Sequence, residues 1–98
     1  MNIQAMMKQA QKLQKEMMSA KEEIDSKEYV GESSLVKVIL KGTKEVKKVE
    51  IDKTNVLDAD DLEMLEDMIV VAVNEAMKKI DEETENKMGK FGNIPGLF

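Results

Sequence analysis

Cysteine, histidine, arginine and tryptophan are all missing from the 98-residue chain, and proline occurs once. Without cysteine there are no disulfides and no thiolate metal ligands. Without histidine the usual zinc ligand and the usual general base are gone as well. Ser19, Ser33 and Thr84 therefore have no imidazole to activate them, and neither a G-x-x-x-x-G-K-[ST] loop nor a G-x-G-x-x-G turn is present. An enzyme is not expected, and no catalytic residue, metal, cofactor or small-molecule substrate is assigned. Because all fifteen basic residues are lysines, the guanidinium fork that most often reads guanine is absent. Tyr29, Phe91 and Phe98 are too few to build stacking platforms for single-stranded nucleic acid. No apolar run approaches the ~20 residues of a membrane span, and the N-terminus is too polar for a signal-peptide core. A soluble, cytoplasmic chain without a membrane partner is expected.

What is present is helix-forming and charged: 42% of residues are hydrophobic and 36% charged, with a net charge of −5. The length suits one domain, residues 1–98, which buries only ~60–65% of its unfolded surface if it folds alone. Self-association is therefore expected. From about residue 2 to 28 there is neither glycine nor proline. Ile3, Ala10, Met17 and Ile24 recur every seven residues, with Met6, Leu13 and Ala20 three places on, the a and d positions of a coiled-coil-like seam. At 100° per residue, Lys8, Lys12 and Lys15 fall nearly opposite, with Gln4, Gln11 and Ser19.

Strand signals follow over about 29–52: Tyr29-Val30, then Val36, Val38 and Leu40 alternating with Lys37 and Lys41, then 46–51. Lys41-Gly42-Thr43-Lys44 supplies a hairpin turn, and the phase conflict between Val46 and the pair Val49 and Ile51 calls for a bulge near Lys47. Asp58 or Asp60 can cap a second helix over about 59–88, whose stripe is Leu62, Leu65, Ile69, Ala72 or Val73, Ala76 and Ile80. Residues 68–73 are apolar all round, which points to a partner subunit packed on Met68, Val70, Val71 and Val73. A loose tail is expected over 89–98. The helices, ~40 Å long, must overhang strands of ~17–23 Å. The expected class is α+β: a three-stranded antiparallel sheet flanked by two long helices, in a homodimer with projecting arms.

Met7-Lys8-Gln9-Ala10-Gln11-Lys12-Leu13-Gln14, Val30-Gly31-Glu32, Leu35-Val36-Lys37-Val38 and Val49-Glu50-Ile51-Asp52 occur in this order. Leu62-Glu63-Met64-Leu65-Glu66-Asp67 running into 68–74, and the tail Met88-Gly89-Lys90 with Pro95-Gly96, come after them. Together these segments resemble the YbaB/EbfC family of bacterial nucleoid-associated proteins along essentially the whole chain. The resemblance implies a tweezer-like homodimer of α-β-β-β-α subunits that binds DNA in the nucleoid, with no catalytic residues or cofactors. Family members often carry a glycine-rich stretch before the Leu-Val-Lys-Val strand, where Ser33-Ser34 stands here, so a stiffer loop is expected.

Charge is unevenly spread. Residues 2–21 hold four lysines and one glutamate, and residues 37–48 hold five lysines and one glutamate. Residues 58–67 hold six carboxylates and no base. Taken alone, Lys8, Lys12 and Lys15 are an ordinary solvated face. Joined to the resemblance, they are candidates to hold duplex DNA by its phosphates with little sequence specificity, with Lys90 as a further contact. The nine methionines read mainly as core and interface filler, and the acidic run as a helix cap rather than a metal site. The competing class is a prefoldin-type chaperone or interaction module whose helical arms clamp protein clients. Steep weakening with salt marks DNA binding and sets it apart from apolar docking.

Overall fold

The computed structural model describes residues 2–54 and 58–91. Helix α1 (Ile3–Ser26) is followed by strands β1 (Glu28–Ser33), β2 (Val36–Lys41) and β3 (Val46–Ile51), then by the long helix α2 (Leu62–Met88). Short 3₁₀ turns, Ala59–Asp61 and Gly89–Phe91, sit at either end of α2. The α-β-β-β-α order is the one the sequence predicts. Helix α1 stops short of residue 28 because Lys27 turns extended and Glu28 joins the sheet opposite Lys41. The expectation of a loose tail falls mainly on residues 92–98, which lie outside the described residues.

The sheet is antiparallel in the order β1-β2-β3. Ile39 faces Lys48 while Leu40 faces Val46, which leaves Lys47 as the extra residue of a bulge. The expected phase conflict is resolved there. Between β1 and β2, Ser34 adopts φ 49°, the left-handed region that glycine occupies without strain. At the start of α2, the Asp58 carboxylate accepts the Asp60 N–H at 3.1 Å, and the Asp61 carboxylate accepts the Asp58 N–H at 3.1 Å. The acidic run works as a cap.

One face of the sheet carries the core. Val36, Val38 and Leu40 of β2 are buried with Tyr29 of β1 under Ala72, Ala76 and Ile80 of α2. Small residues on α2 bring its backbone down onto β1, and Gly31 lets it arrive. A Cβ at Gly31 would overlap the Ala72 carbonyl oxygen. Val46, Val49 and Ile51 share this face through their pairing with Leu40, Val38 and Val36. Helix α2 rests on β1 and β2, so Val46 and Val49 stay exposed.

A second, smaller cluster joins the helices: Met17 and Ile24 of α1 meet Met88, with Ala20 and Phe91 packed beside them. The two helices run antiparallel there, since Lys27 pairs with Glu83 and Glu23 with Lys87. Gly42 seats the other side of the joint. Its N–H donates to the Lys27 carbonyl at 3.1 Å, and a Cβ there would overlap the Ile24 carbonyl oxygen. Beyond Met17 the helix runs free toward its N-terminus, and the chain measures 71 × 19 × 17 Å. Among the described residues no helix is long and apolar enough to cross a membrane.

Candidate nucleic-acid interface

The projecting part of α1 is a continuous helix because its start is capped and nothing inside it breaks the run. The Asn2 side chain accepts the Gln4 N–H at 2.9 Å. All of residues 3–16 are exposed, so this arm is ~21 Å of helix with no buried side chain. Lys8, Lys12 and Lys15 lie along one side of it, spanning ~10 Å, about three base-pair steps of a DNA strand. The three lysines form no ion pair among the described residues.

Four of the five lysines over 37–48 are in the opposite situation, and Lys37 alone among them forms no ion pair among the described residues. Lys44 pairs with Asp81 of α2 at 3.0 Å, Lys47 with Glu28 of β1, and Lys48 with Glu50 at 2.9 Å. Lys41 is 4.0 Å from Glu45. The hydrogen bond from Lys48 is the main reason the Glu50 carboxyl titrates below its ordinary value. Local charge in the sequence rates the hairpin above the arm, but the carboxylates that neutralise it come from β1, β3 and α2. Only the fold reveals which cluster is free.

Lys90 stands on a different element, the turn after α2, with Nζ 5.0 Å from the centroid of the Phe91 ring. Of the residues expected at a subunit interface, Met68 and Val73 pack against this chain's own core. Val70 and Val71 are 57% and 52% exposed. The sheet meets only one side of the all-apolar segment.

A clamp that residue spacing does not single out holds the arm in place. Lys27 and Lys87 both reach Glu83, at 3.1 and 3.3 Å, and Lys87 also reaches Glu23 at 2.6 Å. The bond from Lys27 holds the Glu83 carboxyl below its ordinary range, and the bond to Glu23 raises the Lys87 ammonium. Glu83 and Lys87 at i, i+4 spacing are the only part of this clamp a sequence exposes. Beside it the Tyr29 hydroxyl is buried with no hydrogen-bond partner among the described residues, and burial raises its pKa. An open cleft of about 540 Å³ between α1, the hairpin and α2 is bordered by Lys21, Asp25, Lys44 and Asp81. These charges are already matched, Lys21 to Asp25 and Lys44 to Asp81, each at 3.0 Å. Among the described residues no acidic group is arranged to hold a metal ion.

The family model described as the YbaB/EbfC DNA-binding family matches residues 1–94. A nucleoid-associated protein of Ligilactobacillus salivarius (strain UCC118) is 44% identical over 99 residues, which covers 99% of this chain and 95% of the relative. One from Enterococcus faecalis (strain ATCC 700802 / V583) is 45% identical, covering 98% of this chain and 94% of the relative. The nucleoid-associated protein LL0120 of Lactococcus lactis subsp. lactis (strain IL1403) is 48% identical over 93 residues, 93% of each chain.

Proposed function

The chain belongs to the YbaB/EbfC DNA-binding family, and from that premise we propose that it acts at the nucleoid as a homodimer, gripping duplex DNA by its phosphates through Lys8, Lys12 and Lys15. The observation that carries this reading is the contrast in pairing: the three arm lysines are exposed and without ion pairs among the described residues, whereas four of the five lysines over 37–48, all but Lys37, are matched to carboxylates. A phosphate approaching the arm releases counterions without breaking a salt bridge. Lys90, on the turn after α2, is a secondary contact. The absence of arginine favours backbone grip over base readout, so affinity is similar on unrelated sequences. Net charge of −5 does not oppose this, because the field a phosphate meets is set by nearby groups within about a Debye length.

The dimer is supported by apolar surface that the single chain leaves uncovered: Val46 and Val49 on β3, and Met64, Val70 and Val71 on α2. Two copies covering these residues give two arms. A charge at Val71, introduced as Val71→Asp, shifts the sedimenting species from dimer toward monomer.

The function is tested by Lys8→Gln, Lys12→Gln and Lys15→Gln combined, titrated with duplex DNA at two salt concentrations. Binding falls about equally on unrelated sequences, and the slope of log K against log salt flattens by roughly one unit for each phosphate that is no longer neutralised. Unchanged affinity moves the site off the arm. Binding that is weak and insensitive to salt in the wild type favours an apolar, chaperone-like clamp instead.

A further inference from the structure

Helix α1 carries one apolar seam, but the body of the protein covers only its inner half. Met17 and Ile24 are packed against Met88, whereas Ile3, Met6 and Leu13 are 73%, 49% and 46% exposed. The dimer face proposed above does not account for the bare half, because Val71 lies ~25 Å along α2 from Met88, and the arm extends beyond it.

The residues beside the bare seam are nearly free of charge. With Ile3, Ala10 and Met17 at a, the flanking e positions of the arm are Met7 and Gln14, and the g positions are Gln9 and Glu16. Lys8 and Lys15 fall at f and Lys12 at c, on the far side of the helix. Along its inner half the same helix does place charges beside the seam, where Glu23 pairs with Lys87 of α2. The arm thus lacks the like-charge repulsion that keeps identical helices apart, and its seam continues a surface already used for helix packing.

We propose that the bare seam of α1 docks against the same seam of a second copy, and that two arms zipped in this way hold two DNA duplexes on opposite sides. Helices packed ~10 Å apart through their seams turn the two lysine stripes outward, ~20 Å from each other. Two heptads form a weak contact alone, and two arms per dimer strengthen it by avidity. The docking half of the proposal stands without DNA, and the two-duplex half rests on the function proposed above.

The chain has no cysteine, so Ala10→Cys gives the full-length protein one thiol in the middle of the seam, and Gln11→Cys gives a control on the outer face. On mild oxidation most Ala10→Cys chains become disulfide-linked pairs, with at least ten-fold less linkage for Gln11→Cys. In a bead assay, wild-type protein on a tethered duplex captures a second labelled duplex. The variant Ile3→Gln with Leu13→Gln binds one duplex within about two-fold of wild type but captures the second about ten-fold less well. Equal linkage of the two cysteine variants overturns the docking, as does capture that the seam variant leaves intact. Linkage that emerges only after residues 92–98 are removed assigns the seam to the chain's own tail and overturns it too. Strong Ala10→Cys linkage in a protein that binds no duplex upholds the docking and overturns the two-duplex half together with the DNA reading.

Discussion

Over the sheet, α2 is packed so closely that a single added carbon at Gly31 meets backbone, and Val38, Leu40, Ala72 and Ala76 are fully buried. In the arm, fourteen residues of regular helix bury nothing. Both regions are amphipathic in sequence, so hydrophobic pattern alone does not separate them. The separation lies in reach: α2 ends near Met17, and what it fails to cover becomes surface. The body holds the fold together, and the arm is left free for its surface to be specialised.

If that contrast is right, the largest effect on stability comes from Gly31→Val. The branched side chain has no room against the Ala72 carbonyl, and α2 must lift from β1. A loss of about 3 kcal/mol or more is expected, read as a fall in the urea midpoint. Leu40→Ala, which empties a fully buried site, comes next at about 2–5 kcal/mol on the same measurement.

The clamp lies between body and arm, and its effect is smaller and depends on pH. Glu83 titrates below its ordinary 4.5, so its contribution is complete above that pH and fades as pH falls through the lowered value. Lys87 and Tyr29 titrate above 10.5 and 10.0, so their contributions are complete below those values and fade as pH rises through the raised ones. The joint is therefore firmest from about pH 5 to 10. Amide exchange along residues 17–26 should speed up on either side of this window, and Glu83→Gln should remove the acid limb and weaken the alkaline one, because Glu83 helps to raise both Lys87 and Tyr29. Smallest of all is the stability change in the triple lysine variant, within about 0.5 kcal/mol, with an unaltered circular dichroism spectrum. A larger loss means that the arm packs on something, and the contrast with the body fails.

Features that depend on local periodicity are legible in the sequence. The element order, the Lys47 bulge, an aspartate cap at Asp58 or Asp60 and the grouping of Lys8, Lys12 and Lys15 on one exposed face all follow from spacing a few residues wide. Contacts between distant segments are not written that way. Nothing near Gly31 or Gly42 announces that another backbone passes over it, since Ala72 is 41 residues away from Gly31. The seam of α1 repeats evenly, yet it is packed only where α2 reaches it. Residues 68–73 are apolar on every side, but the sheet offers one surface, so Met68 and Val73 turn in while Val70 and Val71 turn out. The hairpin lysines look as free as those of the arm until Glu28 and Asp81 arrive from other elements.

The seat at Gly42 makes α1 a lever. Its root is fixed where the Gly42 N–H meets the Lys27 carbonyl, and its tip lies ~36 Å away. A tilt of about 10° at the root sweeps the tip through roughly 6 Å, nearly two base-pair steps of a DNA strand. The same tilt moves Met17, ~15 Å from the root, by roughly 3 Å against Met88, so the sweep of the tip is limited by how far that packing yields.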